Sequence, residues 1–192
     1  MKIGVLALQG AFIEHIKMLR QLGVEAVEAR LPQQLADLDG LIIPGGESTT
    51  IGKLAATYGL IEPLRRFAKT KPTWGTCAGM IFLAKDIGID EQPILGAMDI
   101  TVDRNAFGRQ IDSFETDLPI AGLAGEPFHA VFIRAPVVTA VEPQVDVLGR
   151  LADGRIVAVR QGRLLATAFH PELTGDLRLH SYFCAIVELT MA

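Results

Sequence analysis

The first eighty residues alternate short apolar runs with amphipathic segments, and that rhythm leaves few folds open. An apolar strand is predicted over residues 2–8, followed by a helix over about residues 11–22 whose buried stripe is Phe12, Ile16 and Leu19. Gly23 supplies a helix stop, and further apolar strands are expected near residues 24–29 and 41–43. Helices then follow over residues 51–58 and again from Glu62, where Pro63 falls early enough that its missing N–H does little harm. Strand, helix, strand in regular succession is the signature of a parallel α/β sheet. Residues 94–169 are richer in strand patterns, with residues 155–160 and 163–169 joined across Gln161-Gly162 as a hairpin. The segment from Gly175 onward reads as helix. The expectation is one α/β domain over residues 1–192, a mostly parallel sheet flanked by helices with antiparallel strands at one flank.

Composition excludes several classes. With 192 residues, 49% of them hydrophobic, the chain fits one domain with a sizeable core. No apolar stretch approaches the roughly 20 residues of a membrane span, and the opening Met-Lys-Ile-Gly-Val-Leu reads as a strand rather than a signal peptide, so neither a membrane nor export is expected. The net charge of -4, with signs mixed, leaves no footprint for nucleic acid. Two cysteines far apart in sequence argue for a reducing compartment, and the cytoplasm is the expected location.

Cys77 sits in Thr73-Trp74-Gly75-Thr76-Cys77-Ala78-Gly79-Met80, where an apolar stretch gives way to a helix. A cysteine taken alone is more often inert packing. Here Gly75 and Gly79 permit the sharp strand-to-helix turn that presents a nucleophile, with backbone N–H groups such as that of Ala78 able to cradle an oxyanion. The second element is Phe169-His170-Pro171-Glu172. If it stays extended, His170 and Glu172 share a face, so the carboxylate can orient the imidazole. Cys77, His170 and Glu172 then make a complete nucleophile, base and acid. The other histidines, His15, His129 and His180, have no such partner nearby in sequence and read as surface or structural residues, while Cys184 falls in a terminal apolar helical pattern and reads as core.

The third element is Pro44-Gly45-Gly46-Glu47-Ser48-Thr49-Thr50, directly after a short apolar run. Two glycines expose backbone N–H groups that can form an anion-binding nest. The spacing does not match a Walker A loop. In open parallel sheets, ligand sites collect beyond the carboxyl ends of the strands, where Gln9, Gly45-Gly46 and Cys77 would converge. The residues alone therefore predict an acyl-transfer site with a thiolate nucleophile, and leave the amide or ester open.

Six motifs in order carry a resemblance over nearly the whole chain: Leu8-Gln9-Gly10, Pro44-Gly45-Gly46-Glu47-Ser48-Thr49, Gly75-Thr76-Cys77-Ala78-Gly79, Arg104-Asn105-Ala106-Phe107-Gly108-Arg109-Gln110, Phe132-Ile133-Arg134-Ala135-Pro136 and Phe169-His170-Pro171-Glu172-Leu173. Together they resemble the class I, triad-type glutamine amidotransferases, and within them the glutaminase subunits of pyridoxal 5'-phosphate synthase. The resemblance implies that the substrate is L-glutamine, cleaved to glutamate and ammonia. It implies substrate recognition at Gly46, Glu47, Ser48, Arg104, Ile133 and Arg134, with the arginines matched to an α-carboxylate, and accessory or oxyanion roles at Gly45, Ala78 and Gln9. It implies no cofactor and no metal. Its partner would be a separate pyridoxal 5'-phosphate synthase (β/α)-barrel subunit in a hetero-oligomer, without which glutaminase activity is expected to be weak. The readings held against it are a glutaminase feeding another pathway such as histidine biosynthesis, a DJ-1-like cysteine hydrolase, and a non-enzymatic interaction subunit.

Overall fold

In the computed structural model, which describes residues 1–89, 91–106 and 113–191, the predicted alternation folds element by element. The first half runs β1 (Lys2–Leu6), α1 (Phe12–Gln21), β2 (Glu25–Ala29), a 3-10 turn (Pro32–Leu35), β3 (Gly40–Ile43), α2 (Ser48–Thr57), α3 (Ile61–Thr70), β4 (Thr73–Thr76) and α4 (Ala78–Leu83). The second half runs β5 (Ala84–Asp86), β6 (Met98–Asp103), β7 (Ser113–Leu118), β8 (Phe128–Ile133), β9 (Val137–Val141), β10 (Asp146–Arg150), β11 (Ile156–Gln161), β12 (Leu164–Thr167), a second 3-10 turn (Pro171–Leu173) and α5 (Arg178–Met191).

The strands assemble in the order β2-β1-β3-β4-β12-β11-β9-β6-β5, with β10 added beside β11 and β7-β8 forming a separate ribbon. The ladders β1–β2, β1–β3, β3–β4, β4–β12 and β5–β6 are parallel. Antiparallel pairing begins at β11–β12, across the predicted Gln161-Gly162 hairpin, and continues through β9 and β6. Hence the sheet is mostly parallel, with its antiparallel strands gathered at one flank.

The central strands β3, β4 and β12 are buried along their whole length. A parallel sheet covered by helices on both faces requires such unbroken apolar runs, because neither pleat face meets water. α1 buries His15, Ile16, Met18 and Leu19, and α3 buries Leu64, Phe67 and Ala68, as stripes against this sheet. Trp74 on β4 is fully buried and lies 5.6 Å from Phe183 of α5, ring to ring. One apolar cluster runs from Ile3 to Val187. Among the described residues, no helix is long and apolar enough to cross a membrane.

One expectation is corrected. The strand predicted over residues 163–169 ends at Thr167, and His170 to Leu173 is not extended: His170 caps a 3-10 turn over Pro171–Leu173. Proline at the first helical position is pre-set for such a turn, since its fixed φ fits and its missing N–H needs no acceptor there. The motif segment Phe107-Gly108-Arg109-Gln110 lies outside the described residues.

Candidate active site

The pairing of β4 with β12 sets Thr76 opposite Thr167 at the carboxyl ends of two adjacent parallel strands. Cys77 and His170, which follow those ends, are therefore neighbours by topology. The Cys77 N–H donates to the Thr167 carbonyl at 2.8 Å, and the His170 N–H donates to the Val131 carbonyl of β8 at 2.8 Å. Each backbone is thus tied to a strand.

Cys77 caps α4 with φ 48 and ψ -106, a left-handed conformation that costs a side-chain-bearing residue on the order of 1–3 kcal/mol. The turn is held because its own carbonyl accepts from Met80 N–H at 3.0 Å while its N–H is fixed to β12. Gly79 lets α4 approach β3, since a Cβ there would lie 2.0 Å from the Ile43 carbonyl oxygen. The strand-to-helix elbow expected around Cys77 is present. The Cys77 sulfur lies 3.9 Å from the Ile133 carbonyl oxygen and is largely buried. The Ala78 N–H opens α4, where the first turn has no acceptor within the helix.

His170 hydrogen-bonds to Cys77 on one side. On the other, its Nδ1 meets Glu172 Oε1 at 2.7 Å. The 3-10 turn, rather than an extended strand, brings these two side chains together. Burial by itself would push the His170 pKa down, but the hydrogen bonds and charges of Cys77 and Glu172 outweigh it and raise the value to about 10. The raised value favours the protonated imidazole, and with Nδ1 on Glu172 the nitrogen left for Cys77 is Nε2. Glu172 has a side chain with no exposed surface.

The Gly45-Gly46 loop closes over this pair. A Cβ on Gly45 would lie 2.4 Å from His170 Cε1 and 3.3 Å from the Cys77 Cβ, so only glycine fits. The Gly45 carbonyl accepts from Ala11 N–H at 3.0 Å, and because the peptide is planar and trans the Gly46 N–H points the opposite way. Gln9 Oε1 accepts from the Glu47 N–H at 2.7 Å, which joins the end of β1 to the loop.

Glu47 caps α2: its carboxylate accepts from Thr49 N–H at 3.0 Å and Thr50 N–H at 2.7 Å. Slight burial opposes ionisation, but hydrogen bonds from Thr50 and Thr49 lower the Glu47 pKa to about 2. A depressed pKa contributes stability that is present above the unfolded value and lost as pH falls through the folded one. Glu47→Ala is expected to lose about 1 kcal/mol of stability at pH 7, with the difference from the parent shrinking as pH falls from about 4.5 to about 2. Urea titrations across that range test this; a difference that persists at the acid end would assign the loss to something other than the cap.

Arg104, just beyond β6, reaches the same helix terminus, with Nη2 at 3.3 Å from Thr49 Oγ1 and 3.9 Å from Glu47 Oε1. Its Nη1 donates to Gln92 Oε1, which also lies within 3.5 Å of the buried Ser48 Oγ. Ile133 ends β8 on the Cys77 side and Arg134 follows it, both exposed, with Arg134 at φ 41. The expected site residues thus gather around three links: Gln9 with the loop and Glu47, Ser48 with Arg104, and Ile133 with Cys77.

Sequence reasoning missed two participants. Gln92 is buried and ties Arg104 to the start of α2, yet an isolated glutamine before a proline carries no local signal. His15, read as surface or structural, is fully buried with Nε2 3.4 Å from Glu172 Oε2. Its partner is remote in the chain. His129 is exposed between Glu115 and Asp117, and Cys184 is buried, with its thiol pushed up to about 11 by burial and the charge of Glu188.

A family model described as the SNO glutamine amidotransferase family matches residues 5–189. The chain is 61% identical over 190 residues to the pyridoxal 5'-phosphate synthase subunit PdxT of Herpetosiphon aurantiacus, covering 97% of this chain and 100% of that one. It is 60% identical over 188 residues to the same-named subunit of Moorella thermoacetica, again covering 97% and 100%. A crystal structure of a glutamine amidotransferase superposes with TM-score 0.92 at 53% identity, over 98% of this chain and 100% of that one. A putative GMP synthase protein from Thermoplasma acidophilum, at TM-score 0.74 and 17% identity over 100% and 96% of the two chains, shares the fold.

Proposed function

Because the chain belongs to the SNO glutamine amidotransferase family, we propose that it is the glutaminase subunit of a two-component pyridoxal 5'-phosphate synthase, releasing ammonia from L-glutamine for a partner (β/α)-barrel subunit. The observation that carries the chemistry is His170 held between Cys77 and Glu172 beneath the Gly45-Gly46 loop. The pathway rests on the full-length likeness to PdxT chains.

With the proton of the Cys77–His170 pair held on His170, the Cys77 sulfur attacks the side-chain carboxamide carbon of glutamine. A C–S bond forms and the carbonyl oxygen becomes an oxyanion, received by the backbone N–H groups of Ala78 and Gly46. One such donor is worth about 3 kcal/mol of barrier. His170 Nε2 gives its proton to the departing nitrogen, which leaves as ammonia, and a thioester remains on Cys77. His170, now neutral, takes a proton from water, which attacks the thioester and frees glutamate. Glu172 keeps the imidazole in the orientation and tautomer both steps require. Arg104 and Arg134 are assigned to the α-carboxylate, alongside Gly46, Glu47, Ser48 and Ile133, with Gly45 and Gln9 shaping the loop.

Free ammonia is protonated and lost in water, so the product calls for a sheltered route into the synthase that consumes it. The two widely separated cysteines fit a cytoplasmic enzyme. An apolar cluster that runs from Ile3 to Val187 among the described residues supports reading residues 1–192 as one domain. The test is glutamate release from L-glutamine by the purified chain, with and without the barrel synthase. Slow release alone and faster release in the complex are expected; equal turnover in both would refute coupling to that partner.

A further inference from the structure

We propose that His15 is a positioning residue for the triad: its Nε2–H holds the outer carboxylate oxygen of Glu172 and, through it, the orientation of His170. The inference rests on the Cys77, His170 and Glu172 reading above. It starts from the condition of the Glu172 carboxylate, whose side chain is wholly buried. One oxygen, Oε1, is taken by His170 Nδ1 at 2.7 Å. The other, Oε2, has no partner at full hydrogen-bond geometry among the described residues, and faces His15 Nε2 at 3.4 Å. A buried carboxylate oxygen requires a donor, because losing water without one costs several kcal/mol.

The neighbours of His15 favour a proton on Nε2 over one on Nδ1. Nε2 lies 3.3 Å from Thr76 Oγ1 as well as 3.4 Å from Glu172, and Nδ1 lies 2.9 Å from His180 Nε2. Burial, joined for His15 by the charges of His180 and His170, lowers its pKa well below the ordinary value, and burial lowers that of His180 to about 4. Both rings are therefore neutral, with one N–H each. A proton on His15 Nδ1 would turn the Nε2 lone pair onto the carboxylate. A proton on Nε2 puts an N–H on the side that faces Glu172 Oε2 and Thr76 Oγ1, and lets Nδ1 accept from His180 Nε2–H, with His180 Nδ1 left without a partner among the described residues. Trp74 pins the two rings, with centroids 5.7 Å from His15 and 5.0 Å from His180. A line of contacts thus runs from Cys77 through His170, Glu172 and His15 to His180, anchoring the acid of the triad to α1 and α5.

The experiment measures glutamine hydrolysis in the complex with the barrel synthase for the parent, His15→Leu, His15→Gln and Cys77→Ala. His15→Leu is expected to lower kcat about 10- to 100-fold, the scale of a misaligned catalytic group, with KM changed less than about twofold because His15 is not assigned to substrate. Glutamine places an amide donor near the Nε2 position, so His15→Gln should regain most of the loss. The low-field proton resonance of His170 Nδ1–H should move in His15→Leu and return in His15→Gln. Equal losses in both variants with that resonance unmoved would reduce His15 to packing and overturn the proposal. So would parental kcat in His15→Leu beside an inactive Cys77→Ala, whereas activity in Cys77→Ala would overturn the triad reading itself. Nitrogen-15 spectra of the parent protein need no variant to fold: the Nε2–H tautomer at His15 supports the proposal, and the Nδ1–H tautomer refutes it.

Discussion

Replacing Cys77 by alanine is expected to cut glutamate release by about 10^4-fold or more, because the nucleophile and its base act as a unit and the remaining backbone donors recover only a small part of the rate. The fold should tolerate the change. Cys77 is held by its backbone N–H on Thr167 and its carbonyl on Met80, neither of which involves the sulfur. Alanine also inherits the same backbone strain at φ 48, so thermal stability should stay near that of the parent while activity disappears. A glutamine-analogue electrophile provides the companion measurement. It should label Cys77 beside the His170 imidazolium and spare Cys184, whose buried thiol is raised to about 11. Glutamate release by Cys77→Ala, or labelling of both cysteines at similar rates, would remove Cys77 from the role of nucleophile.

Gly10→Ala is expected to lower kcat by about 10^2- to 10^3-fold, the range seen when an oxyanion donor is lost. A Cβ at residue 10 would stand 1.8 Å from the Gly45 carbonyl oxygen and 3.1 Å from the Gly46 Cα, so the loop must move. Moving it breaks the Ala11 N–H to Gly45 bond of 3.0 Å that orients the Gly45-Gly46 peptide. The left-handed φ of 100 adds a strain of about 1–3 kcal/mol for any residue with a side chain. Gly154→Ala separates the two effects. Residue 154 has φ +90 with nothing within 4 Å of a Cβ, so that variant should show the stability loss and keep parental kcat. Urea midpoints and glutaminase rates on both variants make the comparison; unchanged kcat in Gly10→Ala would mean that the orientation of this peptide does not govern the reaction.

The proposed triad could be picked out because each member carries a local signal: glycines around Cys77 for a tight elbow, and a carboxylate two residues after His170. The conformation that joins His170 to Glu172 was misread, since residues two apart share a face on a strand, and Pro171 is equally at home in the 3-10 turn that forms. Burial pattern alone could not choose between them. His15 and Gln92 were not legible because their partners come from other elements: Glu172 reaches His15 on α1, and Arg104 reaches Gln92 from beyond β6. Glu47 was assigned to substrate on resemblance, and its capping of α2 became visible only with the Thr49 and Thr50 N–H groups in place.

By itself the sequence determined the α/β alternation and the antiparallel hairpin at Gln161-Gly162, and it singled out Cys77, His170 and Glu172 as candidates for nucleophile, base and acid, because these follow from spacing within a few residues. Tertiary structure decided what surrounds them. Pairing of β4 with β12 set Cys77 beside His170, and packing of α1 under the Pro171–Leu173 turn delivered His15 to the buried oxygen of Glu172. Such contacts depend on strand order and helix placement, which arise from burying the whole core at once and leave no trace in any single stretch of chain.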